Sequence, residues 1–453
     1  MSARNHAIVL GASMSGLMTA RVLRDHYTHV TLLDRDQLPE GVEARRGVPQ
    51  GNHAHGLLAS GCAAVEQLFP GIGAELRARG AIEVNIGREL GFYNEGQRIT
   101  QVDSDLTTLV LSRALLESHL RERVRGMSNM AVLGGQEVVG LVGTAAAIRG
   151  VLVKPRGGHE AVHMPADLVV DATGRSSRLG EWLEDLGLPR APEERVRVDL
   201  TYTSCVYRRT PEQARGLKGI VAAAAPPNRR TGVALAQEGE RWIVTLIGYF
   251  GEHAQPSHDG MREFSRGLPS QAIYELLREA EPLTQPVQFK FPFSQRRRYE
   301  QLRAFPEGLL AVGDTHCSFN PSFGQGMSVA AMEARELQRC LQDRAAPLWK
   351  QLFQTSARII ETPWTIAVGA DLGYPEVEGK RTAIGRVLGL YLRQLRRGAV
   401  HDPQLALAFL RVAQLVDEPA ALLAPSVALR TLRSSFAAPS EPVRLLERES
   451  FAG

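Results

Sequence analysis

A short apolar run, His6–Leu10, reads as a buried strand. Residues 15–25 follow with apolar positions at helical spacing, and His29–Leu33 repeats the strand pattern. This alternation predicts a βαβ start. After a loop rich in Gly, Arg and His (41–56), helices are predicted at 57–68 and 112–125. Short alternating strands fill 130–164, and Leu168–Asp171 is an apolar strand ending at a glycine turn. From about residue 196 the pattern changes to longer strands with two distinct faces: 196–208, 219–225, 232–236, 242–249 and 286–293. Such a run predicts a second domain built on antiparallel sheet. A buried strand at 309–312 and a long helix at 325–340 follow. The remainder is mostly helical, and in 380–397 Ile384, Val387, Leu388, Tyr391 and Leu395 share one face of an amphipathic helix.

Length and composition narrow this picture. The 453 residues are 44% hydrophobic and 23% charged, as in a globular chain, and at ~150 residues per domain two or three units are expected. With 53 Lys+Arg against 49 Asp+Glu the net charge is only +4, the basic residues are scattered and aromatics are 6%. Nucleic-acid binding is therefore not expected. Cys62, Cys205, Cys317 and Cys340 form no C-x-x-C pair, which speaks against a zinc or dithiol site and for a reducing compartment. No metal is expected. Neither a signal peptide nor an apolar stretch of ~18 residues is seen, so a cytoplasmic location is expected, with peripheral membrane contact open but not favoured.

Three motifs carry candidate chemistry. Gly11-Ala12-Ser13-Met14-Ser15-Gly16 lies between strand and helix, a dinucleotide fingerprint with Ser13 at the middle glycine. It needs a tight turn at Gly11, close backbone approach at Ser13 and close helix packing at Gly16. Asp34 ends the next strand and is placed to accept hydrogen bonds from a ribose. Far downstream, the strand 310–312 ends in Gly313-Asp314. It runs through Phe319-Asn320-Pro321-Ser322-Phe323-Gly324-Gln325-Gly326-Met327 into a helix. A carboxylate there can hold a ribityl hydroxyl, and a glycine-lined helix entry can approach a flat ring and stabilise negative charge. Between them Asp171-Ala172-Thr173-Gly174-Arg175 closes another strand.

Together these motifs resemble the FAD-dependent monooxygenase superfamily of aromatic hydroxylases and squalene epoxidases. Arg45-Arg46-Gly47-Val48-Pro49-Gln50 with His53-Ala54-His55-Gly56, Arg296-Arg297-Arg298-Tyr299-Glu300, and Pro363-Trp364 with Gly369-Ala370-Asp371 narrow the likeness to polyether epoxidases of natural-product pathways. The resemblance spans roughly residues 6–380. It implies an α/β fold, with a Rossmann-like FAD-binding domain (1–72, 105–190 and 300–345) and an inserted α+β substrate domain with an antiparallel sheet (73–104 and 191–299). A helical C-terminal region (346–453) completes it.

The resemblance also implies roles. Gly11, Ser13, Ser15 and Gly16 surround the pyrophosphate, Asp34 binds the adenosine ribose with Arg35 beside it, and Arg45 or Arg46 reaches the cofactor. Arg113 lies near the ribityl phosphate and Asp314 on the ribityl chain. Gly324, Gly326 and Met327 meet the pyrimidine edge, and Pro321 the reactive face. The family's Asp-Gly and a following Arg are replaced here by Thr173-Gly174 and Gly180. That motif is tied to pyridine nucleotides, so NAD(P)H acts either directly or through a separate flavin reductase.

With FAD and O2, the implied reaction moves one oxygen atom from a flavin C4a-hydroperoxide to a lipophilic alkene or aromatic small molecule. No residue is assigned as a catalytic base. Tyr202, Tyr249, Phe291, Phe319 and Phe323 are candidate substrate lining, each also readable as ordinary core. His53 and His55 are expected in polar loop roles, His316 in a structural hydrogen bond, and Arg296–Arg298 on a solvated strand edge. Halogenases of this lineage carry W-x-W-x-I-P, which Trp182, Trp242, Trp349 and Trp364 do not form. Two alternatives stand beside oxygenation: a geranylgeranyl-reductase-like alkene reductase, and a non-catalytic flavin-bound ligand-binding protein.

Overall fold

The computed structural model describes residues 5–45, 47–343 and 346–434. Five short apolar strands form a parallel sheet in the order Leu309–Ala311, Leu168–Asp171, His6–Leu10, His29–Leu33, Met130–Leu133. The three inner strands are almost wholly buried, as expected where helices cover both faces of a parallel sheet. The helices Met14–Leu23 and Gly326–Gln342 pack on one another over this sheet. An antiparallel meander, Gln136–Gly143, Ile148–Pro155 and Val162–Pro165, flanks it.

The second sheet has eight strands, in the order Cys317–Ser318, Val287–Arg297, Glu193–Arg208, Arg241–Gly248, Arg230–Gln237, Gly219–Ala223, Leu90–Asn94, Gln97–Arg98. All neighbours are antiparallel except Gly219–Ala223 with Leu90–Asn94. The chain therefore weaves. Leu90–Asn94 joins this sheet before the first sheet is complete. The short strand Cys317–Ser318, immediately after the nucleotide-side strand Leu309–Ala311, pairs with Val287–Arg297.

The arginine run departs from the solvated edge expected of it. Arg296 is 1% exposed and donates to Glu361 at 2.8 Å and to the Ala357 carbonyl at 3.3 Å. It thus ties the sheet to the long helix Leu348–Asp371. Arg297 donates to the carbonyls of Thr315 (2.7 Å) and Arg175 (3.0 Å), bracing two turns of the nucleotide side. A three-cation run with alternating faces looks solvated in sequence; here all three side chains are paired, Arg298 with Glu194 at 2.8 Å and with Glu361 at 3.5 Å.

The helix Ala383–Gly398 is amphipathic, but its expected apolar face is covered only toward its end. Leu395 is buried, whereas Ile384 and Val387 are 81% and 68% exposed. No helix among the described residues is long and apolar enough to cross a membrane.

Candidate functional site

Two glycine turns meet where the first sheet ends. Gly11 has φ +99°, and a Cβ there would lie 2.6 Å from the Ala172 carbonyl oxygen; a Cβ on Gly16 would lie 1.7 Å from the Gly11 carbonyl oxygen. Only glycine permits that backbone and that packing. Gly313 has φ +63° and sits against Ser15, whose Oγ would be 2.5 Å from an added Cβ. The first and last motifs therefore touch. Gly324, at φ +67°, faces open space, and Gly326 meets only Asp314 Oδ1 at 3.8 Å. The entry to the helix Gly326–Gln342 is accordingly free of side-chain cover on that side. Its N-terminal amides are available to a flat acceptor.

Asp34 is 9% exposed and holds the first turn. Its Oδ2 accepts from the Ala12 N–H (2.7 Å) and from Arg45 Nη1 (2.9 Å), and its Oδ1 accepts from the Asp36 N–H (2.8 Å). Three of roughly four carboxylate acceptor positions are occupied, so gripping a ribose through two bonds requires Arg45 to give way. Arg45 is also bound to Glu117, Nε to Oε1 at 2.6 Å. Ser13 donates to Glu117 Oε2 (2.9 Å) and accepts from Arg113 Nη2 (2.9 Å). The serine that replaces the fingerprint's middle glycine thus aims Arg113.

Glu117 is the residue that the sequence reading missed. Buried on the helix Arg113–Arg125, it faces Arg113, Arg45 and Arg121. Its signal was the i, i+4 ladder Arg113-Glu117-Arg121. Arg35 is exposed at the rim, and Arg46 lies outside the described residues.

Asp314 is brought to Gly326 and within electrostatic reach of Arg113 and Arg175. Burial pushes its pKa up, and the two guanidinium groups oppose that shift. Arg175 stacks over Phe291 at 4.4 Å and donates to the Phe293 carbonyl at 2.7 Å. Behind Asp314, the fully buried His316 lies 3.3 Å from Glu333, whose other oxygen accepts the Gly313 N–H at 2.9 Å. Burial works to lower the His316 pKa, yet Glu300 and Glu333 outweigh it and raise the pKa. The structural hydrogen bond expected of His316 is not seen among the described residues; its two ring nitrogens instead face Glu333 at 3.3 Å and Glu300 at 3.8 Å. Met327 packs its side chain into the first core.

His53 crosses to the second sheet and is buried there, 6% exposed. Its Nδ1 pairs with Ser204 Oγ at 2.7 Å, and its ring lies against Tyr202 and Phe289. Burial holds its pKa down at about 4, so it is neutral near pH 7. His55 is half-buried; burial first, then Arg113, lowers its pKa to about 3.

Tyr202, Tyr249, Phe291 and Phe319 gather in one apolar cluster with Ile360 and Trp364. Phe323 stays half-buried outside it. Inside the cluster is a polar island. Asp371, at the end of Leu348–Asp371 and 1% exposed, accepts from Asn320 Nδ2 at 2.9 Å; that amide also reaches Tyr249 Oη at 3.2 Å. Tyr249 stacks on Tyr374 with ring centroids 4.9 Å apart. A glycine-lined helix entry thus sits beside an apolar wall, joined through the segment Phe319–Gln325, an arrangement suited to holding a flat redox ring against a lipophilic molecule.

Comparison with known proteins shows the family and the fold. The FAD binding domain family matches residues 4–345. Protein Rv3254 of Mycobacterium tuberculosis (strain ATCC 25618 / H37Rv) is 32% identical over 437 residues, covering 91% of this chain and 90% of that protein. In fold the chain is similar to the flavin-dependent brominase Bmp2 (TM-score 0.68, 13% identity, 95% and 98% of the two chains). It is also similar to p-nitrophenol 4-monooxygenase PnpA from Pseudomonas putida DLL-E4 (TM-score 0.64, 14% identity, 92% and 100%).

Proposed function

Because the chain belongs to the FAD binding domain family, we propose that it is an FAD-dependent monooxygenase. It transfers one atom of O2 to a lipophilic alkene or aromatic natural product, by epoxidation or hydroxylation. The observation that carries this reading is the continuity of Phe319–Gln325, which leads from the apolar cluster of the second sheet into an uncovered, glycine-lined helix entry. The donor set fits the cofactor. Arg113 and Arg45 supply positive charge beside the Gly11 turn, and Asp314 stands beside Gly326 with Gly324 open. When bound, FAD supplies the reduced centre that activates O2, fed by NAD(P)H directly or through a flavin reductase. The chain's own work is to bind, to exclude water with the Tyr202–Phe319 wall, and to keep the substrate at the Pro321 side of the entry.

The test is isotopic. Protein loaded with FAD, reduced, and given labelled O2 with a panel of lipophilic alkenes and aromatics should place one labelled atom in a product. Anaerobic turnover that saturates an alkene would instead identify a reductase. Asp314→Ala should weaken FAD affinity by about tenfold or more, the scale of losing charge-assisted hydrogen bonding.

A further inference from the structure

Asp371 is a buried acid without a cationic partner. Its Oδ1 accepts from Asn320, while Oδ2 meets no donor in hydrogen-bond geometry among the described residues, the Tyr249 hydroxyl standing near the carboxyl. Asn320 has no further hydrogen to give: its Nδ2 also donates to Tyr249 Oη (3.2 Å), and its Oδ1 accepts from the Ser322 N–H (3.0 Å) and the Ser322 hydroxyl (2.6 Å). A second polar atom beside this group, the hydroxyl of Tyr202, is also buried and unpartnered. Each such orphan costs ~1–3 kcal/mol and is rare in native interiors.

The titratable groups facing Asp371 are Tyr202 from the strand Glu193–Arg208, Tyr249 at the end of Arg241–Gly248, and Tyr374 just beyond its own helix. Arg229, Glu376 and Glu252 lie further out, around Tyr374. Burial lifts the Asp371 pKa to about 7, against the opposing pull of Asn320 and Tyr249.

The place of this pair matters more than its chemistry alone. Asn320 directly precedes Pro321, which the proposed function puts at the reactive side, and the apolar cluster around it carries the hydroxyls of Tyr202, Tyr249 and Tyr374. A lipophilic molecule that parted this wall would meet Oδ2, an acceptor closed to solvent in the present packing, with the Tyr202 and Tyr249 hydroxyls beside it. Resting on the monooxygenase reading, we propose that Asp371 is a catalytic residue that accepts the proton of a hydroxyl on the substrate's reacting unit. The substrate is then a lipophilic phenol or enol rather than an unfunctionalised alkene.

In that step the substrate O–H bond breaks and its electron pair stays on the substrate oxygen. The proton moves to Asp371 Oδ2, leaving a neutral carboxylic acid. Electron density rises at the ring or enol carbon that is to be oxygenated; as its C–O bond forms the O–O bond of the oxygen donor breaks, the displaced C–H hydrogen leaves as a proton to the departing oxygen, and the Asp371 proton returns to the product's original oxygen. Asp371 itself undergoes no redox change.

The experiment uses FAD-loaded, oxidised full-length protein, with 2-naphthol and naphthalene as probes in equilibrium dialysis. At about pH 8, wild type should bind 2-naphthol about tenfold more tightly than naphthalene, the worth of one hydrogen bond to a charged group. Asp371→Asn should bind the two within about twofold, with flavin occupancy unchanged, and Tyr202→Phe should reduce the preference in part. In wild type the preference should fade as pH falls below about 7. An equal preference in wild type and Asp371→Asn overturns the proposal, as does failure of either probe to bind the holoprotein. Should Asp371→Asn not fold, Tyr202→Phe and the wild-type pH profile decide. None of these outcomes touches the labelled-O2 result, so failure of the monooxygenase reading shows separately.

Discussion

A carboxyl that gives up its proton only near neutrality makes the folded chain pH-dependent in one direction. The Asp371 pKa rises from 3.8 to about 7, chiefly through burial. The native state therefore holds this proton more tightly than the unfolded chain. Its contribution to stability is fully present below the unfolded pKa and is lost as pH climbs through about 7. At ~1.4 kcal/mol per pKa unit, on the order of 3 kcal/mol disappears between about pH 5 and pH 8. Asp371→Asn should thus gain on wild type by that order across the range, read from urea midpoints of FAD-loaded protein. A difference that stays flat would show the acid to be stably paired. Sequence reading reached Asp371 only as part of a resembling segment. A lone acid ending a helix has no local signature; its meaning comes from Asn320 and Tyr249, distant in the chain. Asp34 and Asp314 were legible because strand-ending acids beside glycines recur at fixed positions.

Among the elements, the strand Val287–Arg297 and the helix Leu348–Asp371 are joined by a charge that the pattern of alternating residues hides. Arg296 is buried, but its partner Glu361 is 57% exposed, so the two ends of the ion pair are unequal. Removing Glu361 leaves a guanidinium that keeps the Ala357 carbonyl and a neighbouring Glu300 at 3.7 Å; removing Arg296 opens a cavity against the helix. Arg296→Ala should cost about 3 kcal/mol and Glu361→Gln less than about 1 kcal/mol, by urea denaturation of the holoprotein. Similar losses for both would mean that the pair acts as one buried unit. The strands themselves were largely legible. Leu168–Asp171 and His29–Leu33 stand where their apolar runs placed them, because a strand covered on both faces leaves a continuous hydrophobic signature. The helix Ala383–Gly398 shows the limit: its periodicity revealed an apolar face, but not that Ile384 and Val387 would stay uncovered.

Across the whole molecule, the two sheets are not independent bodies. The loop after Arg45 inserts His53 beside Ser204, and the Ala54 N–H donates to Thr245 at 2.8 Å. The strand Cys317–Ser318 extends the second sheet directly from a turn of the first. FAD should therefore stabilise both together. Saturating cofactor at about a thousandfold over Kd should add about 4 kcal/mol. Variants retaining only Trp182, near the first sheet, or only Trp242, in the second, should melt at one shared temperature that rises with FAD. Two transitions, one insensitive to FAD, would show that the sheets unfold separately. Sequence texture did distinguish the two sheets, but a two-residue strand such as Cys317–Ser318 is too short to carry a periodicity. The stitching it provides has a corollary. A polypeptide that passes back and forth between its layers offers no clean seam at which either layer could be cut out and exchanged whole.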